Sequence, residues 1–332
     1  MNNQEKINAL VQLGNYLLNN TEAYQAIINE AYLKNPWFTK ENSVLAINAI
    51  AQNYLNATQL EQWITQYDTS SQQNKIVGLV LAGNIPLVGF HDILCVLMSN
   101  NIAQIKLSSK DEVLLPFILS KLIEIDERFK NQINIVPRLN NFDAIIATGS
   151  NTTALHFEQY FGKYPHIIRK NRNSIAIIDV ATTKEDVQAL GKDVFSFFGM
   201  GCRNVSKIYV PKDFNFSILN EAWDTDFGDV MLHHKYKNNL DYQRTVYLMT
   251  NTPLVDIDFI NIVENKQISS PIACLYYEYY DDITALNEQL QTNADEIQCT
   301  VGKNHIPFGD AQQPTLNDYA DGIDTMQFLL SL

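Results

Sequence analysis

Apolar residues in the first 68 positions recur at the spacing typical of helices. Two groups follow a period near 3.6 residues: Ile7, Leu10, Val11, Leu17 and Leu18, then Leu45, Ile47, Ile50 and Leu55. Thr21-Glu22 is typical of a helix start, and Asn35-Pro36 of a helix end. The polar residues 68–74 then predict a linker. The pattern therefore predicts a helical N-terminal segment.

From Lys75 onward, short apolar runs alternate with longer amphipathic segments. The runs predict strands over residues 76–81, 102–106, 133–136 and 142–147, with helices over 87–98 and 111–125. This alternation is typical of βαβ units in a parallel sheet. Ligands of such sheets bind at the carboxyl ends of the strands, so we expect the ligand-binding residues in the loops after Leu81, Lys106 and Ala147.

A second set of alternating segments follows. It predicts strands over residues 174–178, 205–210 and 272–277, and helices over 183–197, 214–224 and 282–290. The residues from Ile306 onward are loop-rich and end in a short apolar tail. We therefore predict two Rossmann-like α/β domains, with a helical segment at 1–74, a first domain at 75–172, a second at 173–305 and a C-terminal segment at 306–332.

Composition and charge exclude several classes of protein. The 332 residues are 46% hydrophobic and 18% charged, the balance of a folded chain with a large core. A net charge of −13 argues against sequence-independent nucleic-acid binding, which needs a basic surface. No apolar run approaches the roughly 20 residues that span a bilayer. The N-terminus lacks the pattern of a signal peptide, so we expect a cytoplasmic protein without a membrane span.

Common cofactor and catalytic motifs are absent. The sequence contains no GxGxxG, GxxxxGK[ST], GxSxG or HExxH. Its four cysteines form no CxxC and no cluster with zinc spacing, so we predict thiols and no metal site. A nucleotide, if bound, would have to be held by another kind of loop.

The most informative string is Phe198-Gly199-Met200-Gly201-Cys202-Arg203-Asn204-Val205-Ser206, between a predicted helix and a predicted strand. Its two glycines would let a ligand approach the backbone closely. Arg203 and the loop amides would favour the thiolate form of Cys202, which is the nucleophile. The alternative is a small, inert residue in a turn, which is common for a lone cysteine.

Two further strings follow predicted strands and leave alternatives open. Asn84 could cap the following helix, or its amide could stabilise an oxyanion in the cleft. Thr148-Gly149-Ser150 could cap the next helix, or offer N–H groups to a pyrophosphate. His91 is more simply a structural histidine than a cleft residue, and His233-His234 reads as surface.

Taken together, these strings resemble the aldehyde dehydrogenase superfamily, and most closely its acyl-CoA reductase branch, typified by the bioluminescence fatty-acid reductase. The resemblance runs from about Lys75 to the C-terminus. Asn84-Ile85-Pro86-Leu87 resembles the family's Asn-Phe-Pro-Leu, and Lys106-Leu107-Ser108-Ser109 its Lys-Pro-Ser-Glu. Thr148-Gly149-Ser150 resembles Thr-Gly-Ser, and Gly199-Met200-Gly201-Cys202 resembles the Gly-Gln-x-Cys nucleophile loop. The resemblance implies an aldehyde dehydrogenase-like fold.

Three departures from the family pattern refine what the resemblance implies. Arg169 stands where the family has its general-base Glu, which oxidising members need for water attack on the acyl-enzyme. Ser109 stands in place of an acid that would repel a 2′-phosphate, so with Lys110 it favours NADP(H) over NAD(H). Gln267 aligns with the Glu that holds the nicotinamide ribose.

The resemblance implies NADPH-dependent reduction of an acyl thioester to an aldehyde. Cys202 would attack the acyl carbonyl, and the Asn84 amide with the Cys202 backbone N–H would form the oxyanion hole. The cofactor-binding residues it implies are Lys106, Ser108, Ser109, Thr148, Gly149, Ser150 and Gln267. The acyl donor would be acyl-CoA or an acyl-carrier protein, and an acyl-transferase or synthetase could be a partner.

Several points stay open at this stage. The alternatives are an NAD(P)-dependent dehydrogenase of free aldehydes, which the missing base argues against, and a non-catalytic acyl-binding subunit. The basic run Arg169-Lys170-Asn171-Arg172 could meet phosphates of CoA or cofactor, or form a buried ion-pair cluster. The chain leaves little room for the family's oligomerisation arm before the first strand, which argues against the family's tetramers. A homo-oligomer of another kind stays open.

Overall fold

The computed structural model describes residues 1–19, 21–69 and 74–332. Most of the predicted linker at 68–74 lies outside the described residues. The α-helices are α1 Asn3–Asn19, α2 Gln25–Lys34, α3 Lys40–Asn53, α4 Ala57–Ile64, α5 Phe90–Met98, α6 Leu114–Ile125, α7 Asn151–Phe161, α8 Lys184–Phe195, α9 Ser217–Phe227, α10 His234–Met249, α11 Ile283–Thr292 and α12 Thr325–Leu330. The strands are β1 Ile76–Val80, β2 Ile102–Lys106, β3 Ile133–Ile135, β4 Ala144–Thr148, β5 His166–Arg169, β6 Asn173–Ile177, β7 Val205–Pro211, β8 Asn261–Glu264, β9 Cys274–Tyr280 and β10 Ile297–Val301.

The described residues group into two compact units, Met1–Asn171 with Pro314–Leu332, and Arg172–Gln313. We call them unit 1 and unit 2. The C-terminal residues predicted as one segment are thus divided between the units. The predicted domain boundaries themselves stay a prediction.

Unit 1 contains a parallel sheet with the strand order β3-β2-β1-β4-β5. Its central strands are near-continuous apolar runs, as expected for strands covered on both faces. The predicted N-terminal helices are confirmed, and α2 ends at Lys34, directly before Asn35-Pro36. The C-terminal segment belongs to the same unit, where the Trp63 indole donates a hydrogen bond to the Tyr319 hydroxyl at 2.8 Å.

Unit 2 contains a second parallel sheet with the order β10-β6-β7-β9-β8. Its core packs α8 and α9 against the sheet around Leu190, Ile208 and Trp223, all three essentially without exposure. The prediction of two Rossmann-like α/β units with an N-terminal helical segment is confirmed.

The start of α5 differs from the prediction. The helix begins at Phe90 with Gly89 as its N-cap, rather than near residue 87, so Asn84 does not cap it. Leu87 takes a positive φ of 61°, and the Phe90 N–H donates to the Leu87 carbonyl at 3.0 Å. This tight turn delays the helix and leaves Asn84 in the loop after β1.

Three strands, β5, β8 and β10, and the helices α10 and α12 were not predicted. Helix α10 buries only Tyr236 and Leu240 along its 16 residues, so it lacks an apolar period that the sequence could reveal. The strands β5 and β8 have four residues each, too short for a reliable alternating pattern. Among the described residues, no helix is long and apolar enough to span a membrane.

Candidate active site

Most of the predicted site residues of unit 1 lie at one edge of its sheet. Strands β2, β1 and β4 are parallel neighbours, so the loops that follow them open at the same edge. This edge carries Asn84, Lys106, Ser108, Ser109, Thr148, Gly149 and Ser150. The carboxyl edge of a parallel sheet is where such folds bind ligands.

The loop that carries Asn84 is held by a buried carboxylate that was not predicted from the sequence. Asp111 is 4% exposed and accepts the Leu87 N–H at 2.9 Å, directly after the Asn84-Ile85-Pro86 stretch. Burial raises the pKa of Asp111, although backbone N–H donors at Leu87 and Leu115 counteract this effect. Asp111 therefore fixes the left-handed turn at Leu87 and, with it, the position of the loop.

The loops after β1 and β2 approach each other closely. A Cβ atom built on Gly83 would lie 2.4 Å from the Ser108 hydroxyl oxygen, so only glycine fits at this position. Lys106, Ser109 and Lys110 are exposed beside this contact, together with the carboxylate residue Glu112. Asp111 turns inward, which leaves two cations and one acid at the exposed surface of the loop.

The alternative roles of Thr148-Gly149-Ser150 are resolved in part. Ser150 is the N-cap of α7, where its hydroxyl accepts the Thr153 N–H at 3.2 Å. Gly149 donates its N–H to the Arg169 carbonyl at 3.3 Å, and a Cβ there would lie 2.9 Å from the Thr153 side chain. The capping role is thus confirmed, and a role toward a pyrophosphate stays a prediction.

Arg169 is a buried ion-pair residue within unit 1. Arg169 is 5% exposed, and its guanidinium donates through one Nη to the Asp92 carboxylate at 2.8 Å and to the Thr325 hydroxyl at 2.9 Å. Its Nε has no hydrogen-bond partner among the residues that the structure describes. Arg172, in unit 2, donates to the carbonyls of Ala294 and Ile297 at 3.3 and 3.4 Å. The basic run therefore serves internal contacts at these two arginines.

His91 is a structural residue, as the sequence suggested. Its Nε2 lies 3.0 Å from the Leu316 carbonyl, and its ring packs near the rings of Tyr54 and Tyr319. Burial lowers the pKa of His91 to about 4, so the imidazole is neutral near pH 7. In unit 2, His233 is the N-cap of α10 and packs against Phe198, and is therefore more than a surface residue.

The loop that carries Cys202 has an unusual backbone. Phe197, Phe198 and Gly199 have φ values of 51°, 57° and 75°, a left-handed run that costs energy for the two phenylalanines. Cys202 follows this turn, is partly buried, and lies three residues before β7. The strain at the phenylalanines must be offset by contacts that hold the loop.

Asn204 supplies such contacts. Its side chain is 1% exposed; its Oδ1 accepts the Gly201 N–H at 2.8 Å, and its Nδ2 donates to the Asp193 and Ser196 carbonyls at 3.0 and 2.8 Å. One carboxamide thus ties both sides of the Cys202 loop to the end of α8. Asn204 was not predicted as a site residue, although an Asn two residues after a candidate nucleophile was a usable signal.

A second buried group ties the loop to the segment after β10. The Asp193 carboxylate accepts the N–H groups of Gly309 and Ala311 at 2.7 and 2.9 Å, and burial raises the pKa of Asp193 to about 6. The Arg203 guanidinium, next to Cys202, donates to the Ala311 carbonyl. These contacts fix the residues on both sides of the loop within unit 2.

The four cysteines differ in exposure. Cys95 and Cys274 are buried; burial raises the pKa of the Cys95 thiol well above its usual value and that of Cys274 to about 11. Cys202 and Cys299 are partly exposed. The Ser174 hydroxyl connects these two, because it donates to the Cys202 carbonyl and lies near the Cys299 Sγ, both at 3.0 Å.

Gln267 lies exposed in the loop between β8 and β9. The strand β7, which follows Cys202, holds this loop on both sides of Gln267. The Lys207 ammonium donates to the Lys266 carbonyl at 2.9 Å, and the Ser206 hydroxyl donates to the Ile268 carbonyl at 2.7 Å. Among the described residues, no group of three or more His, Cys, Asp or Glu side chains could hold a metal ion.

Several solved structures with the same fold are aldehyde dehydrogenases. The structure of aldehyde dehydrogenase 21 from Physcomitrella patens with its product succinate is 14% identical, with a TM-score of 0.70 over 100% of this chain and 84% of that one. The NAD+ complex of an aldehyde dehydrogenase from Bacillus cereus is 13% identical (TM-score 0.64; 91% and 72% covered). The NAD+ complex from Mycobacterium tuberculosis is 14% identical (TM-score 0.64; 91% and 73% covered). The chain therefore has the aldehyde dehydrogenase fold.

The family follows from the sequence model that matches the chain. The model of the acyl-CoA reductase (LuxC) family matches residues 37–220, more than half of the chain and a range that contains both Asn84 and Cys202. The protein belongs to this family, which supports an oxidoreductase activity related to aldehydes. The comparison with curated protein sequences gave no match.

Proposed function

We propose that this protein reduces an acyl thioester to the aldehyde with NADPH, through an acyl-cysteine intermediate at Cys202. The observation that carries the proposal is a partly exposed thiol on a strained, firmly held loop, within the range matched by the acyl-CoA reductase family. In the proposed reaction the Cys202 thiolate attacks the acyl carbonyl, the bond to the donor's sulfur breaks, and that sulfur leaves as a thiolate.

The surroundings of Arg169 support reduction rather than oxidation of an aldehyde. Oxidising relatives use a carboxylate base for water attack on the acyl-enzyme, and Arg169 stands at that position in the sequence. Its guanidinium is permanently protonated, pairs with Asp92 and is buried, so it cannot act as a base toward water. Without a base at this position, an acyl-enzyme would persist long enough to be reduced.

The residues at the carboxyl edge of unit 1 fit a phosphorylated dinucleotide. Lys106 and Lys110 are exposed cations there beside one exposed acid, Glu112, while Asp111 is buried and accepts the backbone N–H of Leu87. We assign adenosine-ribose contacts to Lys106, Ser108 and Ser109, and contacts near the pyrophosphate to Thr148, Gly149 and Ser150. When bound, NADPH supplies the hydride that reduces the acyl carbon.

Two further roles follow from the family resemblance. The Asn84 side-chain amide and the Cys202 backbone N–H are the proposed donors to the oxyanion. Gln267 is the proposed contact to the nicotinamide ribose, with a neutral amide in place of the family's carboxylate. The firm attachment of the Asn84 loop through Asp111, and of the Gln267 loop through Lys207, supports both roles because site residues need fixed positions.

The proposal is tested by trapping the acyl-enzyme. The protein is incubated with a long-chain acyl-CoA without NADPH, digested, and analysed by mass spectrometry for acylation of the peptide that contains Cys202. We expect acylation in the wild type and in Cys299→Ala, the matched control at the other partly exposed thiol, and none in Cys202→Ala. Acylation that persists in Cys202→Ala would refute the assignment of the nucleophile.

A further inference from the structure

Unit 2 contains a groove that none of the proposed roles uses. It has a volume of about 560 Å³ and runs between helix α11 and the edge strand β10. Its floor is apolar, with Ile177, Leu290 and Cys299 among the lining residues. A groove of this size lies within the range of small-molecule sites.

The rim of the groove is rich in neutral amides. The carboxamides of Asn287, Gln291, Gln298 and Asn304 line it, and Lys303 lies two residues beyond the carboxyl end of β10. A carboxamide both donates and accepts hydrogen bonds, so it complements another amide without attracting charged ligands. A lysine at one end adds a site for a phosphate.

One acid, Asp179, is among the residues that line the groove. The Asp179 carboxylate already accepts hydrogen bonds from the Ala181 N–H at 2.9 Å and the Thr182 hydroxyl at 3.1 Å. The wall formed by Ala294 and Ile297 is fixed by Arg172, which donates to both carbonyls. The groove is thus a defined feature of unit 2, and Arg172 of the basic run stabilises its wall.

The groove is connected to the proposed nucleophile through Ser174. Its hydroxyl is fully buried and donates its proton to the Cys202 carbonyl at 3.0 Å. Because a serine hydroxyl has a single proton, the Cys299 thiol must be the donor in its 3.0 Å contact with Ser174. The groove wall at Cys299 is therefore two hydrogen bonds away from the backbone of Cys202.

We infer that this groove binds the phosphopantetheine arm of the acyl donor, with the phosphate at Lys303 and the thioester end toward Cys299. The arm contains two amides, an apolar dimethyl group and a phosphate, which match the carboxamide rim, the apolar floor and the lysine. The inference rests on the proposed function, because it assigns the donor of that reaction. Coenzyme A and acyl-carrier proteins share this arm.

The test compares one acyl group on donors of decreasing length: acyl-CoA, acyl-pantetheine and acyl-N-acetylcysteamine. Lys303→Glu should raise the KM for acyl-CoA about tenfold and leave kcat and the KM for acyl-N-acetylcysteamine unchanged. Asn287→Leu and Gln291→Leu change exposed residues and should raise the KM for acyl-CoA and acyl-pantetheine alike. Lys184→Glu, an exposed charge reversal in the same unit outside the groove, is the control and should change none of these values.

Equal effects of Lys303→Glu on all three donors, or no effect on any, would overturn the inference while leaving the proposed function intact. A parallel series with an acyl-carrier protein separates the sources: a Lys303 effect on both donors indicates the shared phosphate, and an effect on acyl-CoA alone indicates the nucleotide end of CoA.

A direct binding measurement keeps the inference testable if no donor is reduced. Calorimetric titration of the full chain with CoA should give a Kd that Lys303→Glu raises about tenfold and Lys184→Glu does not. Binding by the wild type without turnover would contradict the proposed function alone. The same Kd in both variants, or no binding, would contradict the inference.

Discussion

Removal of the Asn204 side chain should loosen the loop that carries Cys202. The carboxamide makes three hydrogen bonds in a fully buried setting. At about 1 kcal/mol net for each bond, Asn204→Ala should lower the free energy of unfolding by about 3 kcal/mol. The loosened loop should also lower kcat by about 10²-fold, because small displacements of a nucleophile are costly.

Asn204→Asp provides a sharper version of the same test. The carboxylate would keep the acceptor for the Gly201 N–H but would face the carbonyls of Asp193 and Ser196 without a proton to donate. We therefore expect a loss at pH 7 at least as large as for Asn204→Ala, with partial recovery on acidification as the new carboxyl becomes protonated.

The assay is urea unfolding followed by tryptophan fluorescence, in which Trp223, buried in the core of unit 2, serves as a reporter in the same unit as Asn204. Asn140→Ala is the matched control. The side chain of this exposed Asn donates to the Arg138 carbonyl at 3.3 Å, and its removal should change stability by less than about 0.5 kcal/mol. An Asn204→Ala protein with the stability and kcat of the wild type would refute the role of Asn204.

Three further predictions address the cofactor, the core of unit 1 and its pH dependence. Ser109→Glu should lower the affinity for NADPH relative to NADH about tenfold, measured as the ratio of Kd values by fluorescence; an unchanged ratio would remove Ser109 from the 2′-phosphate site. Arg169→Met leaves the buried Asp92 carboxylate unpaired and should lower the free energy of unfolding in urea by about 3–5 kcal/mol. The double variant with Asp92→Leu should recover most of this loss. Equal losses in the single and the double variant would contradict the pairing. The pKa of His91 is lowered from 6.5 to about 4, so between these pH values the unfolded chain binds a proton at His91 that the folded protein does not. Stability should therefore fall as the pH drops from 6.5 toward 4. His91→Phe should flatten this slope, and an unchanged slope would refute the assignment of the pH dependence to His91.

The sequence predicted those parts of the molecule that depend on local patterns. The apolar runs at β1, β2 and β4 and the strings that follow them placed Asn84, Lys106 and Thr148 at one edge of a parallel sheet, because strand direction alone determines where these loops open.

Contacts between distant residues were beyond such reasoning. Arg169 and Asp92 are 77 positions apart, so neither residue type nor spacing could indicate that their charges form a buried ion pair. Asp111 acts on the backbone N–H of Leu87 across 24 positions. For a related reason, the sequence could not show that Asn84 does not cap α5. The helix starts later because of the left-handed turn at Leu87, and this turn depends on the Asp111 carboxylate.

The central claim, thioester reduction through Cys202, is tested most directly by NADPH consumption with a panel of acyl-CoAs, with wild type and Cys202→Ala measured side by side. We predict acyl-dependent consumption by the wild type, with the aldehyde as product and no consumption by Cys202→Ala. Consumption that continues unchanged in Cys202→Ala, or wild-type protein that forms no aldehyde with any acyl-CoA or acyl-carrier protein, would contradict it.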